Sequence, residues 1–305
     1  MQVAAERFEL TVAKPRLGYF KFFLRSLYLV SLSLYVYFLI DGLEYYQIPL
    51  QERPHHTEYR SLRPAGLYGQ GFGVIGGLMM LFMLLYSIRK RTRLFGNWGK
   101  LSRWLDIHTY FGVMGPLLII LHTSFKVEGL VAVAFWAMIA VALSGVVGRY
   151  LYKQIPRTPD GVELSLKDIS TLNKSYYRDL QSSLNLSDQQ IALLDEMIAV
   201  KIAKKESLLG VLLKYPLRSI FHPFRIRATR RQIRRVLGLE EPYLYKTVHL
   251  VWRQINLQRR AKRLNQVQQL FHYWHVFHKP FAIILYVIMF IHIGVAVWLG
   301  YTWIF

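Results

Sequence analysis

Four of the ten histidines stand where an imidazole is chemically expensive. His108 and His122 lie fourteen residues apart in one apolar run, and His278 and His292 lie fourteen apart at and within another. Fourteen residues make close to four helical turns, so each pair projects from roughly one side of its helix, with about 21 Å of rise between its members. Ionisable residues inside a membrane are rare, and when present they tend to carry function. A single buried histidine is more often a helix–helix hydrogen-bonding group, but two pairs with matched spacing ask for more. If the two helices are parallel, His108 lies level with His278 and His122 with His292. Each level then offers one imidazole from each of two facing helices. That is the requirement for axial ligation of an iron held in a flat macrocycle, and helix bundles build such sites from inward-facing side chains.

A macrocycle lying against a helix needs backbone without side chains. Gly112 and Gly115 fall between His108 and His122, and Gly115 is seven residues past His108, on the same face. Gly145, Gly148 and Gly294 are further candidates, with close small-residue packing of helices as the competing role.

Five apolar segments must position these residues. They are Phe22–Ile40, Gly71–Ile88, Trp104–Phe125, Val131–Leu151 and Phe281–Gly300, each long enough to cross about 30 Å of hydrocarbon. The chain of 305 residues is 53% hydrophobic yet has 39 Lys+Arg against 18 Asp+Glu. Apolar blocks in lipid and basic blocks outside it reconcile the two. The expected fold is an all-α membrane protein: five transmembrane helices form a haem-binding bundle, and a helical cytoplasmic insert separates helices four and five. Residues 1–153 hold the N-terminal tail and four spans, 154–269 the basic insert, and 270–305 the fifth span. There is no cysteine, so thiolate-ligated iron–sulfur clusters, disulfides and thioether haem attachment through this chain are excluded. Met1–Leu17 lacks the pattern of a removable signal peptide.

Basic residues set the orientation. Lys14, Arg16 and Lys21 precede the first span, Arg89–Arg93 follow the second, and Arg149, Lys153 and Arg157 follow the fourth. The loop Asp41–Gly69 holds Asp41, Glu44, Glu52 and Glu58. The expected location is a bacterial-type inner (plasma) membrane, multi-pass, with the N-terminus cytoplasmic and the C-terminus outside. Within the insert, Ser187-Asp-Gln-Gln190 reads as a helix start leading into Ile191–Lys205. Tyr243–Gln269 reads as one long amphipathic helix running into the last span, and Leu208–Phe221 as an interfacial segment.

The stretch Trp104-Leu-Asp-Ile-His108 to Leu121-His122, with Trp274-His275-Val-Phe-His278-Lys-Pro280 to Ile291-His292, resembles the di-haem transmembrane cytochromes b. It is especially similar to the ferric-reductase-like and cytochrome b-type four-helix electron carriers. The resemblance covers spans three to five, roughly a third of the chain, and the insert lies outside it. It implies two haem b groups with His108, His122, His278 and His292 as axial ligands, and transfer of electrons across the bilayer. His275 is the alternative to His278, because three histidines crowd that helix entry and Pro280 removes a helix donor there.

Haem propionates need cationic partners. Arg103 and Arg149 are the leading candidates near the cytoplasmic level, with Lys100, Lys153 and Lys279; the competing role is the positive-inside belt. His55 and His56, beside Glu52 and Glu58, are candidates for taking protons from a quinol, with a solvated loop as the commoner alternative. His222 and His249 show no metal-ligand spacing, and no nucleotide-binding glycine loop is present. The chain therefore reads as an electron-transfer subunit of a larger complex. The expected partners are the membrane, a cytoplasmic reductase or periplasmic cytochrome, and quinone as a candidate small molecule. The Arg225–Arg235 run suits lipid headgroups or an acidic subunit better than nucleic acid.

Overall fold

The computed structural model describes residues 18–92, 98–156, 163–184, 187–202, 222–241 and 243–301, and every regular element among them is helical. In chain order these are α1 (Tyr19–Asp41), α2 (Leu43–Gln47), α3 (Tyr59–Leu62), α4 (Leu67–Arg91), α5 (Leu101–His122) and α6 (Gly129–Gln154). They are followed by α7 (Leu166–Leu184), α8 (Asp188–Ile202), α9 (His222–Leu237), α10 (Tyr243–Lys262) and α11 (Leu264–Trp298). A single 3₁₀ turn, Arg53–His55, sits between α2 and α3. Five helices are long and apolar enough to cross a membrane: α1, α4 with the short α3 before it, α5, α6 and α11.

The chain divides into two compact units. One comprises residues 153–270, and the other residues 16–152 with 271–305. In the second unit, Met80, Ala134, Ala137, Met138, Leu285 and Ile288 form a buried core from α4, α6 and α11. Lipid-facing positions stay apolar on the outside, as bilayer solvation requires: Leu29, Trp136, Leu143, Ile283 and Val287 are all exposed.

Two element boundaries differ from the sequence pattern. The third span ends at His122 rather than Phe125, because Ser124 (φ 47°) and Phe125 (φ 60°) turn left-handed. Such a conformation is costly for residues other than glycine and needs outside support. Arg53 supplies it. Its guanidinium is buried and donates to the carbonyls of Ile48 (2.9 Å), Tyr46 (2.8 Å) and Ser124 (2.6 Å), while the Ser124 hydroxyl donates to the Leu62 carbonyl. The same cluster buries Tyr46 completely enough to leave its hydroxyl without a partner, and burial pushes that phenol up to about 12.

The second difference lies ahead of the last span. The single helix expected over Tyr243–Gln269 is broken at Arg263, giving α10 and a new helix α11 that carries Pro280 inside it. Arg263 is buried, and its side chain folds back to donate to the Arg259 carbonyl (3.1 Å), closing the end of α10.

The 153–270 unit has its own core. Leu194, Met197, Ile198, Ile233, Leu237, Leu244, Val248, Val251 and Ile255 join α8, α9 and α10. Two of its helices, α7 and α8, start at reciprocal caps. Ser187 N–H donates to Gln190 Oε1 (3.0 Å) while Gln190 N–H donates to Ser187 Oγ (3.3 Å). Ser165 and Asp168 do the same for α7, and those hydrogen bonds hold the Asp168 carboxyl below its usual range. The segment Leu208–Phe221 lies outside the described residues.

Candidate functional site

The histidine face of α5 packs on a glycine-rich face of α4 with a shared seven-residue step. His122 Nδ1 lies 2.8 Å from the Gly69 carbonyl, and His108 Nδ1 lies 3.3 Å from the Met83 carbonyl. Midway between them, a side chain added at Gly115 would meet Met80 at 3.1 Å and the Gly76 carbonyl at 3.3 Å. The two helices run antiparallel here, so positions 69, 76 and 83 meet 122, 115 and 108 in turn. Small residues let the backbones approach closely enough for imidazoles to reach carbonyls of the neighbouring helix. Gly73 completes the seat of His122: a Cβ there would fall 2.5 Å from the ring Nδ1. Gly112 likewise faces Met83, 3.2 Å from where its Cβ would be. Gly112 and Gly115 thus admit α4.

The fifth span supplies the opposing rings. The imidazoles of His122 and His292 have centres 6.4 Å apart, with planes inclined at 63°. At the other level, His278 lies within electrostatic reach of His108. The structure thus sets the His122 ring beside that of His292.

Hydrogen bonds to carbonyls set the tautomer of two of the four. A carbonyl only accepts, so His108 and His122 must carry their proton on Nδ1. The Ser144 hydroxyl lies 2.9 Å from the Val141 carbonyl and shares a 2.7 Å hydrogen bond with His278 Nδ1. In the neutral His108 and His122 rings Nε2 keeps its lone pair. His292 has no hydrogen-bond partner among the described residues.

Around His278, Trp274 donates its indole N–H to the Ser144 carbonyl (2.7 Å), and its ring lies 4.7 Å from the histidine. Gly148 makes this possible, since a Cβ there would strike the indole at 2.2 Å. By contrast, Gly145 and Gly294 have no described atom within 4 Å of an added Cβ. His275 turns away: its Nδ1–H donates to the Phe271 carbonyl of its own helix (2.8 Å), and its ring packs on Phe271 and Trp274.

No family model, curated protein or solved structure matches this chain. The site is therefore read from its own geometry. Among the described residues, no three His, Asp or Glu side chains converge, so each level offers its imidazoles two at a time.

The two arginines singled out by sequence have partners. Arg149 forms an ion pair with Asp106, two residues before His108, and its guanidinium lies over Tyr152 at 5.7 Å. Arg103 lies over the Phe20 ring at 5.5 Å. In the loop between α2 and α3, His56 accepts a hydrogen bond from Glu58 N–H (3.1 Å), lies 4.0 Å from Glu44 and packs 5.8 Å from the Tyr45 ring. Gly69, Gly73, Ser144, Trp274 and Asp106 all shape the site without having been assigned a role from sequence. The glycine run of the second span was the available signal for the first two.

Proposed function

We propose that the chain is a di-haem b-type membrane cytochrome subunit that carries electrons across the bilayer. The observation that carries this reading is the pairing of His122 with His292, with His122 Nδ1 held at the Gly69 carbonyl. A metal-bound imidazole nitrogen sits about 2 Å from its metal, and the ring centre lies about 1.2 Å further, so two rings on opposite sides of one ion have centres about 6.4 Å apart. The separation of His122 and His292 is 6.4 Å. Metal-bound histidines usually donate their other ring N–H to a carbonyl or similar acceptor, as His108 and His122 do. Two opposed ligands suit an ion whose remaining positions are filled by a planar cofactor.

In this reading His108 and His278 hold the inner haem, and His122 and His292 the outer one. The iron supplies reversible one-electron change. The chain's part is to hold the rings, fix their tautomer and keep water away. Gly145 and Gly294 leave clearance beside Ser144 and His292. Asp106 already occupies Arg149, so a propionate would share that guanidinium. The basic flanks of α4 and α6 are directed to the cytoplasm, which puts the N-terminus and the 153–270 unit on that side, and the His55–His56 loop and the C-terminus outside. Electrons pass between a quinol or reductase partner and an acceptor on the opposite face.

The test is a reduced-minus-oxidised absorption spectrum of the purified protein, with proteoliposomes loaded with an oxidant and given an external reductant. A b-type spectrum and electron transfer abolished by His122→Ala are expected. A colourless protein whose activity follows a metal ion or protons would favour a haem-free scaffold or transporter instead.

A further inference from the structure

The helix α9 carries a concentrated run of positive charge. Arg227, Arg230, Arg231, Arg234 and Arg235 are all exposed. Its opposite side is consumed by packing: Thr229, Ile233 and Leu237 are buried, and Ile226 rests on the same core. At 3.6 residues per turn the arginines form one stripe and the buried residues another. Arg230 is paired with Glu241, whereas Arg227, Arg231, Arg234 and Arg235 meet no acidic side chain among the described residues. Among the α9 side chains that are described, the one large apolar side chain exposed is Val236. A face of exposed guanidiniums suits adsorption at anionic headgroups.

We infer that this arginine stripe is an electrostatic contact for the anionic phosphates of the membrane leaflet beside the 153–270 unit. Guanidinium forks match phosphate geometry. The unit is joined to a span at each end, after α6 and before α11, so a lipid surface is present at high effective concentration whatever else is in solution. A soluble acidic protein must compete with that surface. The contact stands whether or not the histidines hold haem.

The absence of native cysteine allows a clean probe. Ala228→Cys in the full-length chain, labelled with a fluorophore, is reconstituted into phosphatidylcholine vesicles with or without phosphatidylglycerol. Both contain a lipid carrying a nitroxide on its headgroup. Strong quenching is expected only with phosphatidylglycerol, and each Arg→Gln change among Arg227, Arg231, Arg234 and Arg235 should weaken the adsorbed state about fivefold. Molar salt, with a screening length of about 3 Å, should abolish quenching in the unaltered stripe, so the test survives a variant that misfolds. Equal quenching in both membranes would overturn the inference. So would a label that stays unquenched by lipid yet is protected by an added acidic protein.

Discussion

Ser144 and Gly73 do for the two levels what the histidines cannot do alone. On the proposed di-haem reading, Ser144→Ala removes the hydrogen-bond partner of His278 Nδ1, and losing such a partner costs about 10–100-fold in metal affinity. Gly73→Ala drives a methyl into the His122 ring and is expected to cost about 1–3 kcal/mol through overpacking. Each change should leave one haem loosely held, the inner for Ser144→Ala and the outer for Gly73→Ala, read as haem retained per chain after gel filtration. The four histidines were legible because a fourteen-residue step inside an apolar run is a local property of the sequence. Gly73 and Ser144 were not, because their importance depends on which neighbouring helix faces them. Gly112 and Gly115 show the converse: sequence put them on the histidine face, and only packing reveals that α4 occupies the space beside them.

At the scale of elements, the left-handed turn after α5 depends on Arg53. Arg53→Met would strand two buried carbonyls and a part-buried one and is predicted to cost about 3 kcal/mol, visible as a lower melting temperature in detergent. Nothing in the run Thr123-Ser-Phe125 announces such a turn, since it is imposed by an arginine seventy-one residues away. The break at Arg263 was hidden for a similar reason: the sequence is helical on both sides, and a buried side chain ends one helix and lets the next begin. The cap of α7 makes a pH prediction. Hydrogen bonds from Ser165 depress the folded-state pKa of Asp168 below its ordinary 3.8. Its stabilisation is therefore complete above that value and is lost as pH falls through the lowered one. Helicity by circular dichroism should separate wild type from Asp168→Asn at neutral pH, with the difference vanishing in strong acid.

For the whole molecule, five apolar helices were readable from composition and run length alone, because hydrocarbon tolerates little else. The proposed orientation has a direct check. Glu58→Cys, in the loop before α4, should react with a membrane-impermeant maleimide in intact cells, whereas Gln189→Cys in α8 should react only after lysis. The central claim is that two levels of paired imidazoles each clasp one haem iron. The most direct measurement is the ratio of haem to polypeptide in the purified protein, taken for wild type and for His122→Ala, His292→Ala and the double variant. The account predicts about two per chain in wild type and about one in all three variants, since the paired ligands serve the same iron. Folded wild-type protein without haem would contradict it, as would a double variant that loses more haem than either single one.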